Sequence, residues 1–406
     1  MNMNKSLTAV AVAGVIAMPM SQAQAQPEGW YGFIAAGIES SSISSTRANA
    51  IGVTSGGSAV DQASLAVTTD GSVLSVTTGG SAVTGLRGGA AIFHTNRGDD
   101  GEGNTGMSDI AESRFGFGGS EDLGGGLEAM YGFEFGLRTS GVGGGSVNQG
   151  VTVQNRLSYL GLAGDFGSIT IGQQWGTLYE FMGWNTYRNV GHGLGAWYYH
   201  TGTFNQNAYG LRVSNSVQYT YGGGGYSDDP FTFRVEGVFD DTTYTSTGGD
   251  TDSKFLDSLS IAGAGTFDVG AGSLTINALF QSEQGTNGAD NTFDTFGIGG
   301  RFASGPFVAG VTYLQSDIDS GGVDGDPSSL HLMGQMDFGN GLTGRLNFGM
   351  VDGDDIVGFD DMDSNVSVAL EQALSSRTFV DVEYETVDYD NIGDESVFYA
   401  GLRHTF

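Results

Sequence analysis

Short stretches in which apolar and polar residues alternate recur along the whole chain. In Leu274-Thr275-Ile276-Asn277-Ala278-Leu279-Phe280-Gln281 the even positions are apolar and the odd ones mostly polar, and Phe231–Glu236, Val151–Gln154 and Val380–Glu385 behave alike. Successive side chains of a strand point to opposite faces, so each segment has one apolar and one polar face. Those apolar faces must be covered. Either two sheets meet in a soluble sandwich, or one sheet closes and turns its apolar face to lipid. Alternation alone does not separate the two.

The connections carry more. Glu121–Gly126, Gly164–Gly167, Ser304-Gly305-Pro306 and Gly339-Asn340-Gly341 are tight, whereas 241–253, 284–292, 318–328 and 352–363 are long and acidic or Gly/Ser-rich. Short turns at one rim and long loops at the other are the layout of an outer-membrane barrel. Sixteen segments are counted, starting near 30, 111, 127, 152, 168, 208, 230, 255, 273, 293, 307, 329, 342, 364, 377 and 395. An even number suits closure of an antiparallel barrel, which leaves no backbone edge unpaired in hydrocarbon.

The N-terminus points out of the cytoplasm. Lys5, the apolar run Leu7–Met18 and Ala23-Gln24-Ala25 have the three-part form of a secretory signal, so residues 1–25 are expected to be removed and 26–406 to form the barrel. No later stretch approaches the roughly 20 apolar residues of a helical span. Cysteine is absent, so disulfides do not hold the fold. The 71 Gly, 16 Tyr and 25 Phe against 5 Pro argue against a disordered linker. The formal net charge is −31, and Lys254 is the only lysine besides Lys5, which excludes nucleic acid as a partner.

Residues 39–107 are rich in Ser, Thr, Gly and Ala and hold a near repeat, Thr54–Val60 and Thr77–Val83. Between the copies, Leu65–Val76 reads as a hairpin about Asp70-Gly71. The stretch is placed in an extended first external loop; a plug over the pore and a separate small domain stay open.

The run Ser113-Arg114-Phe115-Gly116-Phe117-Gly118-Gly119-Ser120-Glu121-Asp122-Leu123-Gly124-Gly125-Gly126-Leu127-Glu128-Ala129 resembles the general bacterial porins of Gram-negative outer membranes. Asn155–Leu162 with Gly167–Gln174, Arg212–Tyr219, and the closing Gly401-Leu402-Arg403-His404-Thr405-Phe406 resemble the same family. The resemblance is specific over 110–221 and 395–406, and looser elsewhere. It implies an all-β transmembrane antiparallel barrel of sixteen strands whose third external loop folds into the lumen. It also implies a homotrimer in contact with outer-membrane lipid and lipopolysaccharide, a terminal Phe406 read by the barrel-assembly machinery, and passive diffusion of ions and small hydrophilic solutes. No cofactor or metal is implied.

By motif, the family's ladder of basic residues falls on Arg114, Arg156 and Arg212, and a further rung on the first strand is replaced by Phe33. Parity is read in support: Phe115 and Phe117 outward with Arg114 inward; Val153, Leu157 and Tyr159 outward with Arg156 inward; Leu211, Val213 and Val217 outward with Arg212 inward. The third loop, about 175–206, holds one acid, Glu180, with Arg188, His192 and His200 and the aromatics Trp175, Trp184, Trp197, Tyr198 and Tyr199. It departs from the family's acidic loop. Its aromatics either pack on the wall or line a path for solute. The pore constriction is thus assigned to Arg114, Arg156, Arg212 and Glu180.

In the closing strand Phe398, Ala400, Leu402, His404 and Phe406 are expected to face lipid, and Tyr399 and Arg403 the lumen. Nine arginines (114, 138, 156, 212, 234, 301, 345, 377 and 403) and the acids Glu128, Glu134, Glu236, Glu371, Asp381, Glu383 and Glu385 read as lumen-facing, a wall near balance. Mild cation selectivity from loop acids, fading with salt, is expected. The acid groups 352–355 and 360–363 read as solvated loop or weak cation bridges; they break the spacing of an EF-hand. No nucleophile motif is present. The alternatives to a channel are a surface-attached adhesive β-protein and an outer-membrane barrel enzyme.

Overall fold

The structure, a computed structural model, describes residues 29–43, 104–108, 113–137, 153–183, 195–204, 212–223, 229–239, 256–284, 292–320, 323–353, 356, 361–390 and 393–406. Eighteen strand segments make one sheet. They are β1 (Trp30–Ile43), β2 (Asn104–Ser108), β3 (Arg114–Gly124), β4 (Leu127–Leu137), β5 (Val153–Gly164), β6 (Gly167–Trp175), β7 (Arg212–Tyr221), β8 (Phe231–Val238) and β9 (Ser258–Asp268). The series continues with β10 (Ser273–Gln284), β11 (Thr292–Ser304), β12 (Phe307–Ser320), β13 (Val323–Gly325), β14 (Ser328–Gly339), β15 (Leu342–Asp352), β16 (Met362–Ala373), β17 (Thr378–Tyr389) and β18 (Gly393–Thr405). Two short helices, α1 (Thr177–Phe181) and α2 (Gly195–Phe204), lie between β6 and β7.

Every pairing is antiparallel, and β1 pairs with β18 on one side and with β2 and β3 on the other, so the sheet closes. β2 and β3 take successive parts of β1, and β13 and β14 successive parts of β12. Each couple is one wall strand in two pieces. Eighteen pieces thus give the sixteen strands expected. The wall also reaches further into the first loop than expected: 39–43 and 104–108 are strand. The repeat and hairpin of 54–83 lie outside the described residues.

The short-turn rim is built by one local device. In Asp122-Leu123-Gly124, Asp268-Val269-Gly270 and Asp337-Phe338-Gly339 the aspartate Oδ1 accepts the glycine N–H at 2.7, 2.7 and 2.8 Å. The side chain mimics a backbone turn, and the glycines take positive φ (+85, +77 and +81°) at little steric cost. Closure is sealed at the same rim. Gly32 and Phe406 exchange backbone bonds of 3.2 and 3.0 Å, and a Cβ on Gly32 would stand 2.8 Å from the Phe406 ring. Glycine is required there so that the ring can lie on the strand.

One face of the wall carries exposed Ile34, Ile276, Ile298, Leu346, Leu370 and Leu402, and the other carries buried polar groups. The closing strand follows the expected parity: Phe398, Leu402 and Phe406 are outward and exposed, Tyr399 and Arg403 inward and buried. The inner face also carries an apolar pad. Ala262, Ala264, Leu279 and Leu314 cluster with Leu178, Tyr179, Phe181 and Met182 and with Trp197. Of the β6–β7 connection, residues 178–182 and Trp197 therefore pack against lumen-parity residues of the wall. The Thr312 hydroxyl donates to the Met182 carbonyl (2.9 Å), and Asn277 donates to the Phe181 carbonyl. α2 docks further round the wall, where Ala196 crowds Gly349 and His200 Nε2 meets Ser316 Oγ at 2.8 Å. At least in part, the loop aromatics pack on the wall.

Candidate functional site

Arg114 opens the basic wall. It pairs in register with Phe33, and its guanidinium carbon lies 4.6 Å from that ring's centroid. The missing rung is thus a ring on which the next rung rests. Glu134 of β4, 1 % exposed, stands between the rungs. Its Oε1 is 2.5 Å from Arg156 Nε and 3.7 Å from Arg114 Nη1, and Tyr31 hydrogen-bonds to it. Tyr31 and Arg156 donate to this carboxylate and Arg114 adds a longer ion pair, so groups from three strands converge on it; the charge-assisted Arg156 bond is stronger than a neutral one.

Arg156 faces inward as expected, but not for the expected reason. Leu157 and Tyr159 also face inward; outward positions go to Val153, Leu160 and Leu162. The register shifts between Glu134 and Phe135, whose partners are Leu157 and Asn155, so Arg156 is the extra residue of a β-bulge. The parity read beside Arg212 is likewise corrected. Val213 is not outward; it is fully buried against Val238 beside a register shift in the β6–β7 pairing. Half-buried at the start of β7, Arg212 pairs with Trp175, and its guanidinium carbon lies 5.4 Å from the Trp175 ring. Arg156 lies 5.8 Å from the same ring.

Glu180, on buried α1, is 3.9 Å from Arg234 of β8. Burial raises its carboxyl pKa above the ordinary value, and Arg234 opposes the shift. The acid between two of the assigned arginines is therefore Glu134, while the loop acid answers Arg234. Among the described residues, Glu134, Arg234, Tyr159 and Trp175 join the assigned site. The signal for Glu134 was available, because its even position in Met130–Gly136 shares the inward parity of that strand.

A second charged group lines β15–β18 and β1. Arg403 bridges Glu371 (2.5 Å) and Asp381 (3.4 Å), and Arg345 reaches Glu371 at 3.5 Å. Glu383, Glu385, Glu395 and Glu39 continue the inner face toward the long-loop rim. Glu39, Glu283 and Glu395 are buried at lumen parity beyond those expected, whereas Arg377 sits in the β16–β17 turn and Arg138 lies outside the described residues. The described lumen wall is therefore net acidic rather than balanced. Trp184, Arg188 and His192 also lie outside the described residues.

His200 makes the loop's docking pH-dependent. Burial pushes its imidazole down to about 3, opposed by a hydrogen bond with the Ser328 backbone. An undocked His200 takes up a proton near the ordinary value of 6.5, and the docked one does not until about 3. Docking of α2 is thus flat above about 6.5 and weakens progressively as pH falls from there toward about 3. Amide protection of 195–204, taken relative to the intrinsic exchange rate at each pH, should fall from neutral to mildly acidic pH, and His200→Gln should abolish the difference. Equal protection of the unaltered protein at both pH values would contradict this.

Comparison with known proteins agrees with the geometry. The family model of the Gram-negative porins matches residues 8–392, and the chain belongs to that family. No curated protein sequence matches the chain. Among solved structures it is similar to an anion-selective porin from Comamonas acidovorans, 17 % identical, covering 93 % of this chain and 98 % of that one with a TM-score of 0.60. Salmonella typhi OmpF, in complex with daunomycin, is 13 % identical over 93 % and 97 % with a TM-score of 0.61. The trimer form of OmpT, an outer membrane protein of Vibrio cholerae, is 15 % identical over 93 % and 98 % with a TM-score of 0.56. The protein is an outer-membrane porin.

Proposed function

We propose that the protein is a water-filled channel for passive diffusion of ions and small hydrophilic solutes, and not an enzyme. The observation that carries this is a closed barrel whose inner face is lined by charged side chains: an arginine-rich group on β3–β8 around Glu134, and a carboxylate-rich group on β16–β18 and β1 around Arg403. Arg114, Arg156 and Arg212 form the basic side of the constriction, with Glu180 set back against Arg234. Export through the periplasm follows the N-terminal signal, and Phe406 is the residue offered to the assembly machinery. A homotrimer is supported by the trimeric OmpT neighbour, and outer-membrane lipid and lipopolysaccharide would surround it.

Lumen acids beyond the arginines favour cations, and loop acids add to this at the mouth within a Debye length of about 8–10 Å near physiological salt. Part of the cation selectivity should fade as salt rises and part, carried by the wall, should persist. Arg156→Gln should move the reversal potential across a KCl gradient further toward cations. Recording both proteins at two ionic strengths checks this. An anion-selective wild type, or a reversal potential indifferent to the substitution, would contradict the reading.

A further inference from the structure

We propose that Trp175 is a positioning residue for pore selectivity: one indole holds Arg156 and Arg212 in place on the lumen wall and couples them to the segment inside the barrel. This rests on the channel reading. Trp175 is the last residue of β6, where the backbone leaves the wall. The exit is anchored on both sides of the ring. Gln218 Nε2 donates to the Trp175 carbonyl at 2.7 Å and also to Glu236, and Glu236 Oε2 accepts the Thr177 N–H at 3.2 Å.

The side chain meets three partners. The guanidinium carbons of Arg156 and Arg212 lie 5.8 and 5.4 Å from its ring, and the Tyr179 ring stacks on it at 4.5 Å with planes 27° apart. Tyr179 continues to Trp197 of α2 at 6.0 Å. A chain of rings thus runs from the two arginines through α1 to α2.

The physics gives the indole a definite task. Two guanidinium groups near one place repel each other and, on long flexible stems, would separate. The negative face of an indole attracts both and leaves their N–H edges for an oxyanion. Arginine on a ring recurs at Arg114–Phe33, Arg234–Phe181 and Arg403–Phe379. At Trp175 two arginines share the ring. Without it, Arg156 keeps the tie of its Nε to Glu134, but the pair disperses and the local positive potential falls.

The full-length protein in planar bilayers tests this by reversal potential across a KCl gradient. Trp175→Leu should shift it toward cations by an amount comparable with Arg212→Gln, and Trp175→Phe, which keeps a ring, should retain most of the wild-type value. The double variant Trp175→Leu/Arg212→Gln should move little beyond either single one, because the arginine acts through the ring. Tyr179→Leu should change conductance with little change in selectivity. Arg212→Lys keeps the charge but not the planar stack, and it decides the matter if Trp175→Leu fails to fold: a shift toward cations supports the proposal. Additive shifts in the double variant, or wild-type selectivity in Trp175→Leu or Arg212→Lys, would overturn it. Wild-type protein without conductance would overturn the channel reading and this proposal together; normal wild-type steps with unchanged selectivity in the variants would overturn this proposal alone.

Discussion

Replacing Arg403 by leucine is expected to destabilise the barrel by about 3–5 kcal/mol, the range for removing one partner of a buried ion pair. Arg403 is 1 % exposed, and its guanidinium is shared by Glu371 and Asp381. Asp381 is as deeply buried, and Glu383 lies two residues along the same face. Leucine would leave the buried Asp381 without this cation, and Glu371 with Arg345 alone of the two arginines that reach it. The parity pattern of the closing strand alone leads one to expect Leu402→Arg to be the worse change, since Leu402 is outward and 51 % exposed. The burial and ion pairing of Arg403 lead to the reverse expectation. Leu402 is three residues from the end of β18, near the rim, where a cation on the lipid face costs only about 0–1 kcal/mol. Urea titration of the refolded barrel, followed by electrophoretic mobility with and without heating, measures both. A smaller loss for Arg403→Leu than for Leu402→Arg would show that the ion pairs do not hold the closing strands.

The second large effect belongs to the middle of the lipid face. Leu346 is 54 % exposed at the centre of β15, paired with Gly334 and Val368. Leu346→Arg places a cation near the bilayer midplane, which costs about 2–4 kcal/mol. The neighbouring inward Asn347, hydrogen-bonded to Ser367 at 3.0 Å, provides the control. Asn347→Ser should be tolerated better than Leu346→Arg in the same titration. Similar stability of the two variants would mean that β15 does not present Leu346 to lipid.

These expectations show how far the sequence can be read. Strand number, rim assignment and the facing of Arg114 follow from a period of two, which propagates along an uninterrupted strand. A bulge breaks that propagation, and nothing in Asn155-Arg156-Leu157 announces one. The inward facing of Arg156 was therefore expected correctly while Leu157 and Tyr159 were turned the wrong way. The same holds at Val213, where the β6–β7 register shifts. Leu279 and Leu314 point inward because α1 and Trp197 cover them. An apolar residue on the polar face is the trace of that cover, but without the loop's position it reads as noise. Glu39 was hidden differently. It precedes a serine run that reads as loop, although the strand continues through Ile43. The acid that meets Arg114 and Arg156 is not the loop's Glu180 but a wall residue, Glu134, and that contact emerges only when three strands are set side by side.

The most direct test of the central claim is planar-bilayer recording of the purified protein. An open water-filled lumen predicts discrete steps of conductance that grow with KCl concentration and whose reversal potential lies on the cation side. Folded protein that inserts into the bilayer and yields no steps would contradict it.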